Sequence, residues 1–123
     1  MKEELIIKFI TMQQQFRVLH WQTKSYARHN AYGSIYDTMD DLIDRFVEVY
    51  MGKYGRVEFI NSESSIVLKN TKDLSLNQFL SENLEWLMSL TQSLDTQKDS
   101  DLLNIRDEFM AEINKLRYLL SLK

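Results

Sequence analysis

The sequence predicts an all-α protein, a bundle of four helices, and three observations lead to this fold class. The chain has 123 residues, enough for one modest hydrophobic core and therefore for a single domain spanning 1–123. It contains three glycines and no proline, which disfavours turn-rich sheet folds and glycine-rich phosphate loops. Apolar residues also recur at intervals of three and four over four separate segments, the spacing of amphipathic helices.

The first two predicted helices have the most regular spacing. In the first, the apolar positions are Leu5, Phe9, Met12, Phe16 and Leu19. In the second, they are Tyr32, Ile35, Met39, Leu42, Phe46 and Val49. A polar segment, 23–29, predicts a tight connection between the two helices, and Gly52 and Gly55 are placed to end the second helix.

The third and fourth helices are also marked by their first residues. The run Ser75-Leu76-Asn77-Gln78 has the form of a capping box, which predicts the start of the third helix. Its apolar positions are Leu80, Leu84, Leu87 and Leu94. The fourth helix is expected to begin near Asp99 or Ser100, and its apolar positions are Leu102, Ile105, Phe109, Ile113, Leu116 and Leu120.

A long connection, Arg56 to Asp73, separates the second and third helices, and it includes two short β-prone runs, 57–60 and 66–68. A segment of this length reaches roughly 60 Å when extended, more than the ~36 Å of a 24-residue helix. It can therefore run the length of the bundle, and one long crossover between helices two and three is the connectivity of ferritin-like bundles. The alternative is a disordered loop in a simple up-and-down bundle.

Composition excludes several classes of function. Without cysteine the chain cannot form a disulfide framework, a zinc ribbon or an iron–sulfur cluster. A net charge of −3 argues against general affinity for DNA. No apolar run approaches the length of a membrane span, and the start Met1-Lys2-Glu3-Glu4 does not resemble a signal peptide. We therefore expect a cytoplasmic protein without a membrane or DNA partner.

Acidic residues on the second helix suggest a metal site. Asp37, Asp41, Asp44 and Glu48, called here the acidic stripe, follow one another at helical spacing, so their like charges repel unless a cation or a basic partner offsets them. The two histidines of the chain, His20 and His29, flank the junction of helices one and two. Imidazole and carboxylate ligands together suit iron, manganese or zinc. A solvated polar face is the simpler interpretation of the stripe.

These residues resemble the iron site of the Dps family, the ferritin-like DNA-protection proteins of starved bacteria. The shared pattern is Leu19-His20-Trp21-Gln22, then His29, then Asp44-x-x-x-Glu48. The chain is compact for that family and resembles the shortened Dps-like proteins of phage genomes. The gap between the two histidines is shorter than the family usually has, and a lysine-rich N-terminal extension is missing.

The resemblance implies a ferroxidase that binds iron and oxidises Fe(II) with peroxide or oxygen, in the cytoplasm of a bacterium or of a phage-infected host. It implies that His20 and His29 come from one subunit, that Asp44 and Glu48 come from a two-fold partner, and that the subunits build a homo-oligomer, in the family a dodecamer. Trp21 would lie beside the metal and intercept stray radicals. Asp37, Asp40 and Asp41 would guide cations or simply keep the surface soluble.

A second hypothesis belongs to a different class of function. A helical bundle tolerates loss of its site, so the chain can also be interpreted as a metal-free structural or protein-interaction module that retains the ferritin-like scaffold. In that case the His20-Trp21 pair is part of an interface, and the acidic stripe faces a basic partner. Binding of Fe(II) distinguishes the two hypotheses.

Overall fold

A computed structural model describes the backbone of residues 2–122 and the side chains of residues 3–122; Met1 and Lys123 lie outside the described residues. The chain forms four α-helices: α1 (Lys2–Gln22), α2 (Tyr26–Tyr54), α3 (Leu76–Ser93) and α4 (Ser100–Ser121). A single 3-10 turn, Thr71–Asp73, precedes α3. No strand forms within residues 2–122, so the prediction of an all-α bundle is confirmed and the two β-prone runs form no sheet. No helix in this range is long and apolar enough to cross a membrane.

The core of the bundle is centred on Phe9 of α1. Its ring contacts one aromatic ring from each of the other helices: Phe46 of α2, Trp86 of α3 and Phe109 of α4, with centroids 4.9, 5.0 and 4.7 Å away. Such clusters of large rings bury much apolar surface and hold all four helices to one centre. The apolar positions predicted from the sequence are buried, apart from three half-buried residues toward helix ends: Val49, Leu94 and Leu120.

The direction of each helix follows from contacts at the two ends of the bundle. The C-terminal end of α2 lies beside the start of α4, where the Tyr54 hydroxyl donates to Asp99 Oδ1 at 2.5 Å. At the opposite end, α1 turns directly into α2. Helices α1 and α2, α2 and α4, and α3 and α4 pack as neighbours. In cyclic order the bundle is therefore α1, α2, α4 and α3.

The crossover, residues 55–75, runs along α1 from one end of the bundle to the other. Near its start, the backbone N–H of Ile60 donates to Glu3 in the first turn of α1. Near its end, the backbone N–H of Thr71 donates to Gln22, the last residue of α1, at 2.7 Å. Helix α3 therefore starts where α1 ends and runs in the same direction as α2. This is the long crossover that the sequence predicts.

Side-chain caps fix the helix boundaries, and one boundary differs from the prediction. Ser75 accepts a hydrogen bond from the backbone N–H of Gln78, as the capping box predicts. Gly55, with φ of 91°, ends α2 in a backbone conformation that favours glycine. Ser25 caps α2 by accepting from the backbone N–H of Arg28 at 3.2 Å. The connection between α1 and α2 is therefore only 23–25, and His29 lies on the helix and not in the connection.

Candidate metal centre

The histidine pair, His20 and His29, lies where α1 turns into α2. His20 is in the last turn of α1, and His29 is in the first turns of α2. The short connection places these turns side by side, and the two imidazole rings stack with centroids 3.8 Å apart and planes 17° from parallel. Both side chains are half-buried. The structure therefore brings together two of the four predicted metal ligands.

Each histidine of the pair is hydrogen-bonded to the backbone of the other. The Nδ1–H of His20 donates to the carbonyl oxygen of His29 at 2.6 Å, and the Nδ1–H of His29 donates to the carbonyl oxygen of His20 at 2.8 Å. Because a carbonyl oxygen only accepts, each Nδ1 carries the proton. The proton-free nitrogen of the neutral ring is then Nε2, whose lone pair can bind a metal ion. Within residues 2–122, neither Nε2 makes a hydrogen bond.

This hydrogen-bonding pattern has both a structural and a chemical consequence. The carbonyl of His20 is among the last four of α1, which have no partner within the helix, so the bond from His29 helps to satisfy the helix end. A ring N–H held by a backbone carbonyl is also the usual arrangement around metal-binding histidines, because it fixes the tautomer and the orientation of the ring. The pair is therefore preorganised to present two imidazole nitrogens.

Gly33 on α2 makes room for this arrangement. A Cβ atom at position 33 would lie 2.9 Å from Cε1 and 3.0 Å from Nδ1 of His20. Glycine inside a helix costs about 1 kcal/mol relative to alanine, so its presence there calls for a reason. Sequence reasoning missed Gly33, although a mid-helix glycine one turn after His29 was a signal that could have identified it.

The two predicted carboxylate ligands lie far from the histidine pair of the same chain. Asp44 follows His29 by fifteen residues on α2, a separation of roughly 22 Å at 1.5 Å per residue. Asp44 and Glu48 are exposed, as are the other side chains of the acidic stripe. No three histidine, aspartate or glutamate side chains of residues 2–122 form a group that could hold a metal ion. One chain therefore offers two nitrogen ligands at one place and two carboxylates at another.

The acidic residues of α2 differ in their contacts. Asp40 accepts a hydrogen bond from Gln13 of α1 at 2.9 Å and so helps to join the two helices. This role was not predicted from the sequence, because Gln13 belongs to another helix and is 5% exposed. Asp37 and Asp41 are exposed. The exposed acidic stripe therefore remains available to a cation or to a basic surface.

Trp21 lies on the outside of the bundle, next to His20 in the chain. Its side chain is 64% exposed, and the Arg17 guanidinium lies over its ring, 4.9 Å from the centroid. Arg17 also donates a hydrogen bond to the Tyr36 hydroxyl at 2.9 Å, which fixes it across the α1–α2 groove. A large exposed indole beside the histidine pair is a residue that a second chain can cover.

Charge is unevenly distributed along α1 and α2. Residues 5–36 contain four lysines and arginines and no aspartate or glutamate: Lys8, Arg17, Lys24 and Arg28 are the basic residues. The segment from Asp37 to Tyr50 contains five acidic residues and one basic residue, Arg45. Burial raises the pKa of Tyr32 on the basic segment, and the nearby positive charge of Arg28 opposes that rise. The end with the histidine pair is thus basic, and the middle of α2 is acidic.

Comparison with known proteins places the chain in a family. Over 54 residues, 44% of this chain, it is 44% identical to an uncharacterized 14.6 kDa protein in the mobD-ri intergenic region of Enterobacteria phage T4. This alignment spans 42% of the phage protein. No solved structure matches the chain. A family model described as a family of unknown function, DUF5856, matches residues 20–120, which include the histidine pair, all of α2 and α3, and α4 up to its last residue but one. The chain therefore belongs to the DUF5856 family.

Proposed function

We propose that this protein binds Fe(II) and oxidises it at a site shared between two copies of the chain. The observation that carries this proposal is the pair of reciprocal hydrogen bonds between His20 and His29, which places the proton of each neutral ring on Nδ1 and leaves both Nε2 atoms without a hydrogen-bond partner in residues 2–122. Each imidazole held in this way can supply one nitrogen ligand, and because the rings are stacked nearly parallel, each nitrogen would bind its own iron ion. The remaining ligands must be carboxylates, which the same chain cannot bring to this place.

A two-fold axis supplies the missing ligands. Fifteen residues are just over four turns of helix, so His29 and Asp44 project from the same side of α2, with Glu48 one turn further. In a two-fold pair, each surface contacts its counterpart in both directions. An axis near Asp37, midway between these positions, places the histidine pair of each chain against the partner subunit's Asp44 and Glu48. Two equivalent sites then form in each dimer, separated by about 22 Å.

The distribution of charge favours this pairing. The acid-free segment 5–36 brings Arg17, Lys24 and Arg28 to the end with the histidines, and the acidic stripe lies in the middle of α2. Antiparallel pairing of two α2 helices places the basic end of each chain on the acidic stripe of the other. Complementary potentials steer association and fix its register. The exposed Trp21 lies beside this surface and would be covered by the partner.

The ligand set suits iron as a substrate. Neutral imidazole nitrogens and carboxylate oxygens together suit first-row transition metals better than calcium or magnesium. Two Fe(II) ions supply the two electrons that, with two protons from solvent, reduce one hydrogen peroxide to two water molecules, and both ions become Fe(III). In this reaction the histidines bind and orient the iron, and Asp44 and Glu48 offset its positive charge. Trp21, next to His20, is placed to donate an electron to a stray radical, as the resemblance to the Dps family suggests.

The proposal includes the finer details of fold and assembly. The α1, α2, α4, α3 order with one long crossover supports a ferritin-like classification, and the two-fold site requires at least a dimer. A closed shell of such dimers would store ferric product in the cytoplasm of a bacterium or of a phage-infected host. The competing hypothesis, a metal-free interaction module, uses the same basic and acidic surfaces without any metal.

A complementation experiment tests the shared site. One variant, His20→Asn with His29→Asn, keeps side-chain donors near the Nδ1 positions and removes both Nε2 atoms. The other, Asp44→Asn with Glu48→Gln, keeps the side-chain shapes and removes the carboxylates. Each variant alone should lose Fe(II) oxidation, followed as ferric absorbance after addition of peroxide. Dissociating equal amounts of the two variants and reassociating them together should restore about a quarter of the wild-type rate, since half of the dimers are mixed and each mixed dimer regains one intact site of two.

Three results would contradict the proposal. Light scattering that gives a mass near 14.7 kDa at micromolar concentration would exclude a shared site. Wild-type oxidation at the background rate would favour the metal-free interaction module. Full activity in either double variant would show that the oxidised iron is bound elsewhere.

A further inference from the structure

The absence of a side chain at Gly33 leaves room for the imidazole ring of His20. It lies inside α2 with an ordinary helical backbone, so no unusual φ angle explains a glycine there. The space that a Cβ would fill is occupied by the imidazole of His20, with Cε1 at 2.9 Å and Nδ1 at 3.0 Å. A distance of 2.9 Å is essentially never seen for a real Cβ atom, so either the ring or the helix would have to move.

The ring cannot move without losing its hydrogen bond. The Nδ1 atom that would lie 3.0 Å from a Cβ at position 33 is also the atom that donates to the His29 carbonyl at 2.6 Å. In a helix the carbonyl of residue 29 points along the axis toward residue 33, one turn later. The ring of His20 reaches this carbonyl by passing over position 33, as its short distances from that position show. The contact with Gly33 and the hydrogen bond to His29 are two parts of one arrangement.

We propose that Gly33 is a positioning residue for the metal site: by lacking a side chain, it lets His20 lie against α2 and donate from Nδ1 to the His29 carbonyl, which holds the proton of the neutral ring on Nδ1. The importance of this role for iron rests on the proposed function, whereas its effect on the hydrogen bonds and the tautomer of His20 does not. Alanine at this position displaces the His20 ring from α2 and breaks its bond to His29. His20 then loses both its fixed orientation and its fixed tautomer.

The chain contains a matched control. Gly52 lies on the same helix, and a Cβ atom at that position would meet nothing within 4 Å. Gly33→Ala and Gly52→Ala therefore make the same chemical change in the same helix, and only the first meets a histidine. Because alanine favours helix more than glycine does, Gly52→Ala should raise the melting temperature. Gly33→Ala should lower it in the wild type and raise it in a chain that already carries His20→Ala.

The test is a nitrogen-15 NMR measurement of the histidine side chains in the metal-free protein. The wild type and Gly52→Ala should show both histidines with the proton on Nδ1 and a proton-free Nε2. Gly33→Ala should lose this signature at His20. In an anaerobic titration with Fe(II), its affinity should fall about tenfold or more, the usual effect of losing a group that orients a metal ligand.

The outcomes separate this proposal from the iron function. Unchanged histidine signals in Gly33→Ala would overturn the positioning role. If the wild type binds no Fe(II) but Gly33→Ala still loses the His20 signature, the iron function fails and the positioning role stands. If Gly33→Ala alone does not fold, the comparison moves to the His20→Ala background, where a lower melting temperature on adding Gly33→Ala would overturn the proposal.

Discussion

The side chain of Gln15 on α1 forms hydrogen bonds with both backbone groups of Lys69 in the crossover. Its Nε2 donates to the Lys69 carbonyl oxygen at 2.9 Å, and its Oε1 accepts from the Lys69 backbone N–H, also at 2.9 Å. Gln15 is 3% exposed, so its side chain is buried while it binds the exposed residue Lys69. Gln15 therefore satisfies both backbone groups of Lys69, as the backbone of a neighbouring strand would in a sheet.

Replacing Gln15 with alanine should destabilise the protein. The substitution leaves the backbone N–H and carbonyl of Lys69 without partners, so the free energy of unfolding should fall by about 1–3 kcal/mol. Urea denaturation measures the change. Gln14→Ala is the control, because Gln14 is half-buried on the same helix and makes no side-chain hydrogen bond within the described residues. An equal loss in both variants would show that the bonds to Lys69 contribute nothing specific.

Tyr54 should make the stability of the fold depend on pH in alkaline solution. The hydrogen bond to Asp99, together with burial and the charge of that carboxylate, raises the pKa of Tyr54 to about 12 from its ordinary value of 10.0. The folded protein therefore holds this proton more tightly than the unfolded chain does. The resulting stabilisation is fully present below pH 10 and is lost as the pH rises toward 12.

Comparison with Tyr54→Phe isolates this effect. The advantage of the wild type in free energy of unfolding should be largest below pH 10 and should shrink as the pH approaches 12, as measured by urea denaturation at several pH values. Tyr118→Phe is the control, since the Tyr118 side chain is 63% exposed and its hydroxyl makes no hydrogen bond within residues 2–122. A constant difference between the wild type and Tyr54→Phe across this range would contradict the prediction.

Removing two charges from the acidic stripe should raise the stability of the metal-free protein and abolish its stabilisation by Fe(II). In the metal-free protein, Asp44→Asn with Glu48→Gln should raise the free energy of unfolding by about 0.2–0.5 kcal/mol, because like-charge repulsion at i,i+4 is relieved. The same variant should lose the rise in melting temperature that Fe(II) produces in the wild type under anaerobic conditions.

The variant Asp37→Asn with Asp41→Asn is the control for the variant Asp44→Asn with Glu48→Gln. It removes two charges at the same i,i+4 spacing of the stripe, outside the proposed ligand pair. Its stability should rise by a similar amount, and its melting temperature should still respond to Fe(II). If both variants lost the response equally, the stripe would act as a diffuse negative surface, and Asp44 and Glu48 would not be ligands.

Arg106 should contribute more to the free energy of unfolding than Arg117, an exposed arginine on the same helix. Its guanidinium is largely buried and donates to the Leu87 carbonyl at 2.8 Å and to the Thr91 hydroxyl at 2.9 Å, joining α4 to α3. Arg106→Ala should lower the free energy of unfolding by about 1.5–3 kcal/mol, the value of hydrogen bonds to charged groups. Arg117→Ala removes an exposed bond between the same helices, to Ser81, and should cost less than about 1 kcal/mol. Chemical denaturation of both variants checks the ranking.

The sequence predicts the parts of this fold that depend on local signals. Apolar spacing identifies the four buried faces, and the Ser75 cap and Gly55 mark helix ends because capping depends on the adjacent residues. The crossover is predicted from the length of the connection between the second and third helices alone. The start of α2 differs from the prediction because Ser25 caps the helix within a polar segment, where apolar spacing gives no helical signal.

The geometry of the site depends on distant backbone atoms, and the sequence does not specify those. Spacing indicates that His20 and His29 lie near one another, but their reciprocal bonds depend on how closely α1 and α2 approach. The role of Gly33 depends on the same approach. Asp44 lies roughly 22 Å along α2 from His29 of the same chain, so only a second chain can bring Asp44 and Glu48 to a histidine pair.

The crossover also has a consequence for the order of folding. The bond between His20 and His29 spans 9 positions of the chain, whereas the bond between Gln15 and Lys69 spans 54. Closing the larger loop costs roughly 1.5 kcal/mol more in chain entropy, so the α1–α2 hairpin can form early and the crossover closes later. When the folded protein opens transiently, we expect the crossover to detach before the α1–α2 hairpin opens. The hairpin that carries both histidines would then keep its geometry in a partly open molecule, and its backbone amides would exchange with solvent more slowly than those of residues 60–71.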